Sequence, residues 1–120
     1  EVIPLVIRGD LHPIGNGRML RAGSLDFQRH PVTAVLPGPI GTNPTGWPSA
    51  FRGVGPSVPA HLDLREEVKP IEQHGFTLAD FHPDRIELRF FKWDVRTQSP
   101  NAIDGLQPFH TTTLPRPGRA

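Results

Sequence analysis

Residues 75–94, GFTLADFHPDRIELRFFKWD, decide the fold class of this chain. Apolar and other side chains alternate in both halves of the stretch, and in the second half the apolar positions are Ile86, Leu88 and Phe90. This period of two is typical of a strand with one buried face. Between the halves, HPDR places Pro83 at the second position of a tight turn, where its fixed φ is favoured. The stretch therefore predicts an antiparallel β-hairpin over about 75–94.

Outside the hairpin, short apolar runs predict four more strands, at residues 3–8, 18–21, 32–36 and 109–114. The first is expected to be buried, with Pro4 at a sheet edge. The GNG sequence at residues 15–17 has the composition of a turn before the second strand. Residues 64–73 predict a short helix with acidic residues early and a glycine stop, although Pro70 weakens it. The expected fold class is thus α+β and rich in strands.

Glycine and proline are unusually frequent and concentrate in long loops. The chain has 12 Gly and 15 Pro in 120 residues, nearly twice the average combined usage of roughly 12%. Residues 38–59 are so dense in both that no element longer than a turn is expected, with Trp47 and Phe51 at the spacing of a single helical turn. Because 36% of the residues are hydrophobic, including seven Phe and two Trp, we expect an ordered single segment over residues 1–120.

Composition excludes several function classes. There are no cysteines, so neither disulfides nor thiolate metal sites are possible. The 13 basic and 12 acidic residues are interspersed, which predicts no nucleic-acid-binding patch. No apolar stretch approaches the roughly 18 residues that cross a bilayer. The chain begins at Glu1 without the features of a signal peptide, so we expect Glu1 to be a processing or cutting point.

Asp10 and His12 are the candidate metal ligands. They follow the first predicted strand and, on extended chain, their side chains share a face about 6.5 Å apart. A carboxylate and an imidazole suit Zn, Mn, Fe or Ca, but the same pair also fits an exposed strand end. Arg52, in the long loop, could contact a substrate phosphate or face solvent. The other five histidines form no ligand pair by spacing.

Taken in order, four segments resemble the C-terminal part of calcineurin-like metallophosphoesterases of the alkaline phosphatase D type. They are GDLHPIGNGRMLRAGSLDF, VLPGPIGTNPTGWPSAFRG, GFTLADFHPDRIELRFFKWD and AIDGLQPFHTTTLPRPG. The family's last metal motif reads Gly-His-x-His at a strand end, and Gly9-Asp10-Leu11-His12 matches it in place, with Asp10 at the first His position. The resemblance covers nearly the whole chain.

The resemblance implies a hydrolase of phosphate esters, either phosphomonoesters or phosphodiesters. His12 becomes a metal ligand, Asp10 a ligand or the partner of one, and Arg52 part of a loop at the entrance to the site. The implied fold is the C-terminal segment of an α/β/β/α sandwich, and the implied cofactors are two divalent or trivalent metal ions (Ca, Mn, Fe or Zn). The family's earlier motifs, Asp-x-His, Gly-Asp and Gly-Asn-His-Asp/Glu, do not occur here.

The missing motifs predict that the chain is part of a larger enzyme. Export to the periplasm or outside the cell is implied by the resemblance alone, since enzymes of this type are commonly exported. Two alternatives stay open: a β-rich interaction module without catalysis, and an inactive truncated fragment.

Overall fold

The computed structural model describes residues 4–9, 13–40 and 60–116. Within these ranges the chain forms eight strands and one 3₁₀ helix: β1 Leu5–Ile7, β2 Ile14–Ala22, β3 Leu25–Asp26, β4 Val32–Pro37, β5 Leu62–Ile71, β6 Gly75–Phe81, β7 Arg85–Lys92, the 3₁₀ helix Pro100–Gly105 and β8 His110–Pro115. The expectation of a strand-rich chain is confirmed. The predicted strands at 32–36 and 109–114 correspond to β4 and β8, and the strand at 18–21 lies within β2.

The first sheet is built around β2. β4 pairs with one side of β2 and β5 with the other, both antiparallel. β1 lies beyond β4 and pairs with it in parallel, while β3 forms a short hairpin with the end of β2. The prediction that β1 is buried is wrong: Val6 and Ile7 are 44% and 48% exposed. β1 pairs with β4 alone among the described strands, so it is an edge strand.

The second sheet contains the predicted hairpin, which is confirmed. β6 and β7 pair antiparallel from Gly75 with Lys92 to Phe81 with Ile86, and β8 adds antiparallel to the other side of β7. At the turn, the His82 backbone N–H donates to the Arg85 carbonyl at 2.8 Å. Alternation then directs every second side chain of β7 to the same face.

The two sheets pack face to face through one apolar cluster. The first sheet contributes Ile14 and Val35, and the second contributes Ile86, Leu88, Phe90 and Leu114. All are at most 8% exposed. Each such side chain contributes roughly 1.5–3 kcal/mol on leaving water, so this cluster is the main source of association between the sheets.

Two local predictions are wrong. The GNG sequence lies inside β2, where a Cβ on Gly17 would meet the Arg65 carbonyl oxygen at 3.3 Å. Glycine there permits close approach of two backbones rather than a turn. Residues 64–73 fall largely in β5, not in a helix. Because β5 pairs only with β2 among the described strands, Pro70 and the charged side chains are tolerated at its edge.

Candidate functional site

The three residues singled out in the sequence, Asp10, His12 and Arg52, lie outside the described residues, as does most of the Gly/Pro-rich loop at 38–59. The structure does describe the chain on either side of the Asp10–His12 pair. Gly9 follows β1 closely, and Pro13 directly precedes β2.

Several strand ends meet at this end of the first sheet. β1 and β4 run in parallel, so their carboxyl ends point to the same edge. Ile14, the first residue of β2, pairs with Pro37 at the end of β4 and with Ile71 at the end of β5. The segments that follow Gly9 and Pro37 therefore both start at the same end of the sheet.

The second sheet joins the first at the same end. The Gly75 backbone N–H, at the start of β6, donates to the Pro39 carbonyl at 3.1 Å. Gly38 has a φ of 97°, and a Cβ there would lie 2.7 Å from Ile14 Cγ1. Glycine at position 38 supplies both the left-handed backbone conformation and the space that the side chain of Ile14 occupies.

A polar cavity of about 460 Å³ opens beside this junction. Its walls come from the chain before β6 and the chain at and after the end of β7: Glu72, Gln73, His74, Lys92, Trp93, Asp94, Arg96 and Gln98. The volume is within the range of small-molecule sites, about 300–1,000 Å³.

His74 is the most deeply buried polar residue of this cavity, at 7% exposure. Its carbonyl accepts the Trp93 backbone N–H at 3.1 Å, which extends the β6–β7 ladder by one step. Its ring Nδ1 lies 3.7 Å from Asp94 Oδ1, an electrostatic contact longer than a hydrogen bond. The imidazole therefore faces a carboxylate inside a cavity.

Asp94 is held in its charged form by the turn that follows β7. A hydrogen bond from the Arg96 backbone N–H, at 2.9 Å, is the largest cause that lowers the pKa of Asp94. Partial desolvation opposes it, while the Arg96 side chain and the nearby His74 add to it. The Asp94 backbone N–H donates to Gln98 Oε1 at 2.8 Å and fixes the turn.

The cavity also contains an acceptor without a partner. Glu72 Oε1 is buried and has no hydrogen bond among the described residues. The described part of the chain contains no group of three or more His, Asp or Glu side chains able to hold a metal ion. The cavity is therefore lined by Glu72, His74 and Asp94, whose polar groups can form hydrogen bonds with hydroxyl or amino groups.

The sequence analysis missed this cavity because His74 and Asp94 are 20 positions apart. The hairpin register brings them together, since Gly75 pairs with Lys92 and the next step outward places His74 opposite Trp93. Extending the predicted hairpin by one residue pair would have indicated their proximity.

A second polar cluster lies between the sheets. Asn16 Nδ2 donates to Glu67 Oε2 at 3.0 Å and to Thr112 Oγ1 at 2.8 Å, and Thr112 Oγ1 donates to Glu67 Oε2 at 3.0 Å. His110 Nε2 lies 3.0 Å from Thr112 Oγ1, and Arg18 Nε lies 3.0 Å from Glu67 Oε1. The cluster connects β2 and β5 of the first sheet to β8 of the second.

Comparison with known protein families, with curated proteins and with solved structures gave no match. Among the described residues, no helix has the length and apolar character needed to cross a membrane.

Proposed function

We propose that this chain is the C-terminal part of a metal-dependent phosphoesterase that hydrolyses phosphomonoesters or phosphodiesters. The main support is the ordered series of segments that resembles this family, above all Gly9-Asp10-Leu11-His12 directly after β1. β1 and β4 form a parallel pair whose carboxyl ends share one edge. The motif therefore follows the carboxyl end of β1, at the end of the sheet that also carries the end of β4.

In this proposal Asp10 and His12 hold a metal ion and Arg52 contacts the phosphate. A two-metal centre, when bound, activates water and neutralises the leaving oxygen. Because the family's earlier metal motifs do not occur in this chain, the proposal assigns the remaining ligands to upstream segments of a parent enzyme. Oxygen ligation through Asp10 favours Ca, Mn or Fe, with Zn as the alternative.

In this proposal, the described part of the chain forms the surroundings of that site. The cavity of His74 and Asp94 lies at the same end of the sandwich, and its carboxylates can accept hydrogen bonds from hydroxyl groups on the alcohol part of the ester. The hairpin of β6 and β7 forms part of one of the two sheets of an α/β/β/α sandwich.

The test is hydrolysis of p-nitrophenyl phosphate and bis(p-nitrophenyl) phosphate by the parent polypeptide, with each of the four metals supplied in turn. We expect His12→Ala and Asp10→Ala to lower activity and bound metal together. The loss of activity should be at least about 100-fold for His12→Ala, because even the groups that orient metal ligands are worth 10–100-fold. His30→Ala is the matched control, since His30 is exposed in the turn before β4.

Equal activity of the His12→Ala and His30→Ala variants would refute the ligand assignment. A parent that hydrolyses neither ester with any of the metals would favour a non-catalytic β-rich interaction module.

A further inference from the structure

A second cavity, of about 420 Å³, lies on the first sheet and is separate from the His74 cavity. It is lined by Arg18, Leu20, Gln28, Pro31 and Arg65. Two of these five residues are cationic, one carries an amide, and none is acidic. A cavity with this lining favours an anionic ligand.

The two arginines are direct neighbours across the sheet. Arg18 on β2 and Arg65 on β5 are cross-strand partners in the antiparallel register, which places their Cβ atoms about 4.5–5.5 Å apart. Like charges directly opposite each other destabilise a strand pair. An anion between the guanidinium groups converts this repulsion into two attractive contacts.

Acidic side chains of the protein itself neutralise only part of the positive charge of the two arginines. Arg18 faces Glu67, with its Nε 3.0 Å from Glu67 Oε1. Glu67 already accepts hydrogen bonds from Asn16 and Thr112. Arg65 is exposed and has no ion pair among the described residues. One positive charge is therefore left uncompensated in the cavity.

We propose that Arg18 and Arg65 bind the phosphoryl group of a small molecule, either free inorganic phosphate or a phosphate monoester. Guanidinium forks match the oxygen spacing of a phosphoryl group and bind it in bidentate fashion. The side-chain amide of Gln28 adds a donor on the third wall. Leu20 and Pro31 form an apolar side against which the organic part of an ester can pack.

This cavity lies away from the end of the first sheet where β2 begins. Arg18 is four residues along β2 from Ile14, which corresponds to roughly 13 Å at about 3.3 Å per residue. Phosphate binding here does not depend on hydrolysis, so either proposal can fail without the other.

The experiment is an NMR titration of the full chain, labelled with ¹⁵N, with sodium phosphate at constant ionic strength maintained with sodium chloride. We expect saturable shifts of amides around Arg18 and Arg65, and at least about ten-fold weaker binding in Arg65→Ala. Arg65→Lys keeps the charge but loses the fork, so its affinity should lie between the two. Arg29→Ala removes the same charge from an exposed turn outside the cavity and is expected to bind like the wild type.

A parallel titration with glycerol 3-phosphate identifies the source of the phosphoryl group. Tighter binding than inorganic phosphate indicates an ester ligand, and equal binding indicates that the phosphoryl group alone is recognised. Shifts that do not saturate, or an equal loss of affinity in Arg65→Ala and Arg29→Ala, would overturn the proposal. Thermal unfolding of each variant verifies that the fold is retained.

Discussion

Replacing Thr112 by Val should weaken the association of the two sheets, and it should do so only through the loss of polar contacts. Thr112 is 5% exposed on β8, and Val has nearly the same shape without the hydroxyl. The substitution removes the hydrogen bond donated to Glu67 and leaves Asn16 with one acceptor fewer. It also removes the contact with His110 Nε2.

The expected size follows from these contacts. A hydrogen bond to a charged acceptor contributes about 1.5–3 kcal/mol, and a neutral one about 0.5–1.5 kcal/mol. The methyl group that replaces the hydroxyl returns roughly 0.8 kcal/mol. With values at the low end of each range, because Glu67 keeps Asn16 and Arg18 as partners, the loss of one charged and two neutral contacts less the methyl contribution should reduce the free energy of unfolding by about 1.7 kcal/mol. For a domain of this size, Tm falls by roughly 7 °C.

The assay is urea unfolding followed by tryptophan fluorescence, with Thr113→Val as control. Thr113 is the next residue on β8 and is exposed, so the same change there should stay within about 0.5 kcal/mol. If both variants unfold at the same urea concentration as the wild type, the cluster does not stabilise the sheet interface. Equal destabilisation of both variants would attribute the effect to strand propensity instead.

Three further predictions concern the core, the junction between the sheets and pH. Phe90→Ala should lower the free energy of unfolding by about 3–5 kcal/mol because Phe90 is fully buried. Phe81→Ala, at a site that is 70% exposed, should change it little, and similar urea midpoints for the two variants would contradict this prediction. Gly75→Ala should destabilise by about 1–3 kcal/mol, since its Cβ would clash with the Phe91 carbonyl oxygen and lie 2.6 Å from Ile14 Cδ1; a wild-type urea midpoint would show that the junction relaxes. Hydrogen bonding lowers the pKa of Asp94 from its ordinary value of 3.8. The carboxylate therefore stabilises the fold above that value, and this contribution is lost as the pH falls below it. Between pH 6 and pH 3, Tm should fall less steeply in Asp94→Asn than in the wild type, and parallel curves of Tm against pH would exclude this role.

The hairpin could be predicted because its signals agree at every level. Alternation of Ile86, Leu88 and Phe90 matches the buried face of β7, and Pro83 occupies the bend between the strands. β8 was predicted from the short run FHTTTL at residues 109–114, and in the structure Thr112 and Leu114 alternate with exposed threonines. These strands could be predicted because each depends on its own residue pattern and on pairing with a strand that is nearby in the sequence.

The errors arose where a partner distant in sequence decides the structure. Residues 15–17 satisfy turn chemistry locally, but they lie inside β2, where the backbone of β5 passes close to Gly17. The acidic residues of β5 favour a helix locally, but pairing with β2 along its whole length overrides that preference. The cross-strand position of Arg65 depends on the long-range register of β2 and β5, so the Arg18–Arg65 cavity could not be derived from residue spacing. The His74 cavity depends instead on the register of the predicted hairpin, extended by one residue pair.

Asp94 lies away from the middle of the core. Leu88 is fully buried there, whereas Asp94 is six residues further along the chain, roughly 20 Å at about 3.3 Å per residue. The core residue Ile14 does lie at the same end of the first sheet as the candidate site, so a loss of activity has to be compared with a loss of stability. If His12→Ala abolishes hydrolysis by the parent enzyme while Tm is unchanged, the loss belongs to the chemistry of the site. If Tm falls together with activity, residues 9–13 have a structural role between β1 and β2, and the non-catalytic interpretation of Asp10 and His12 gains support.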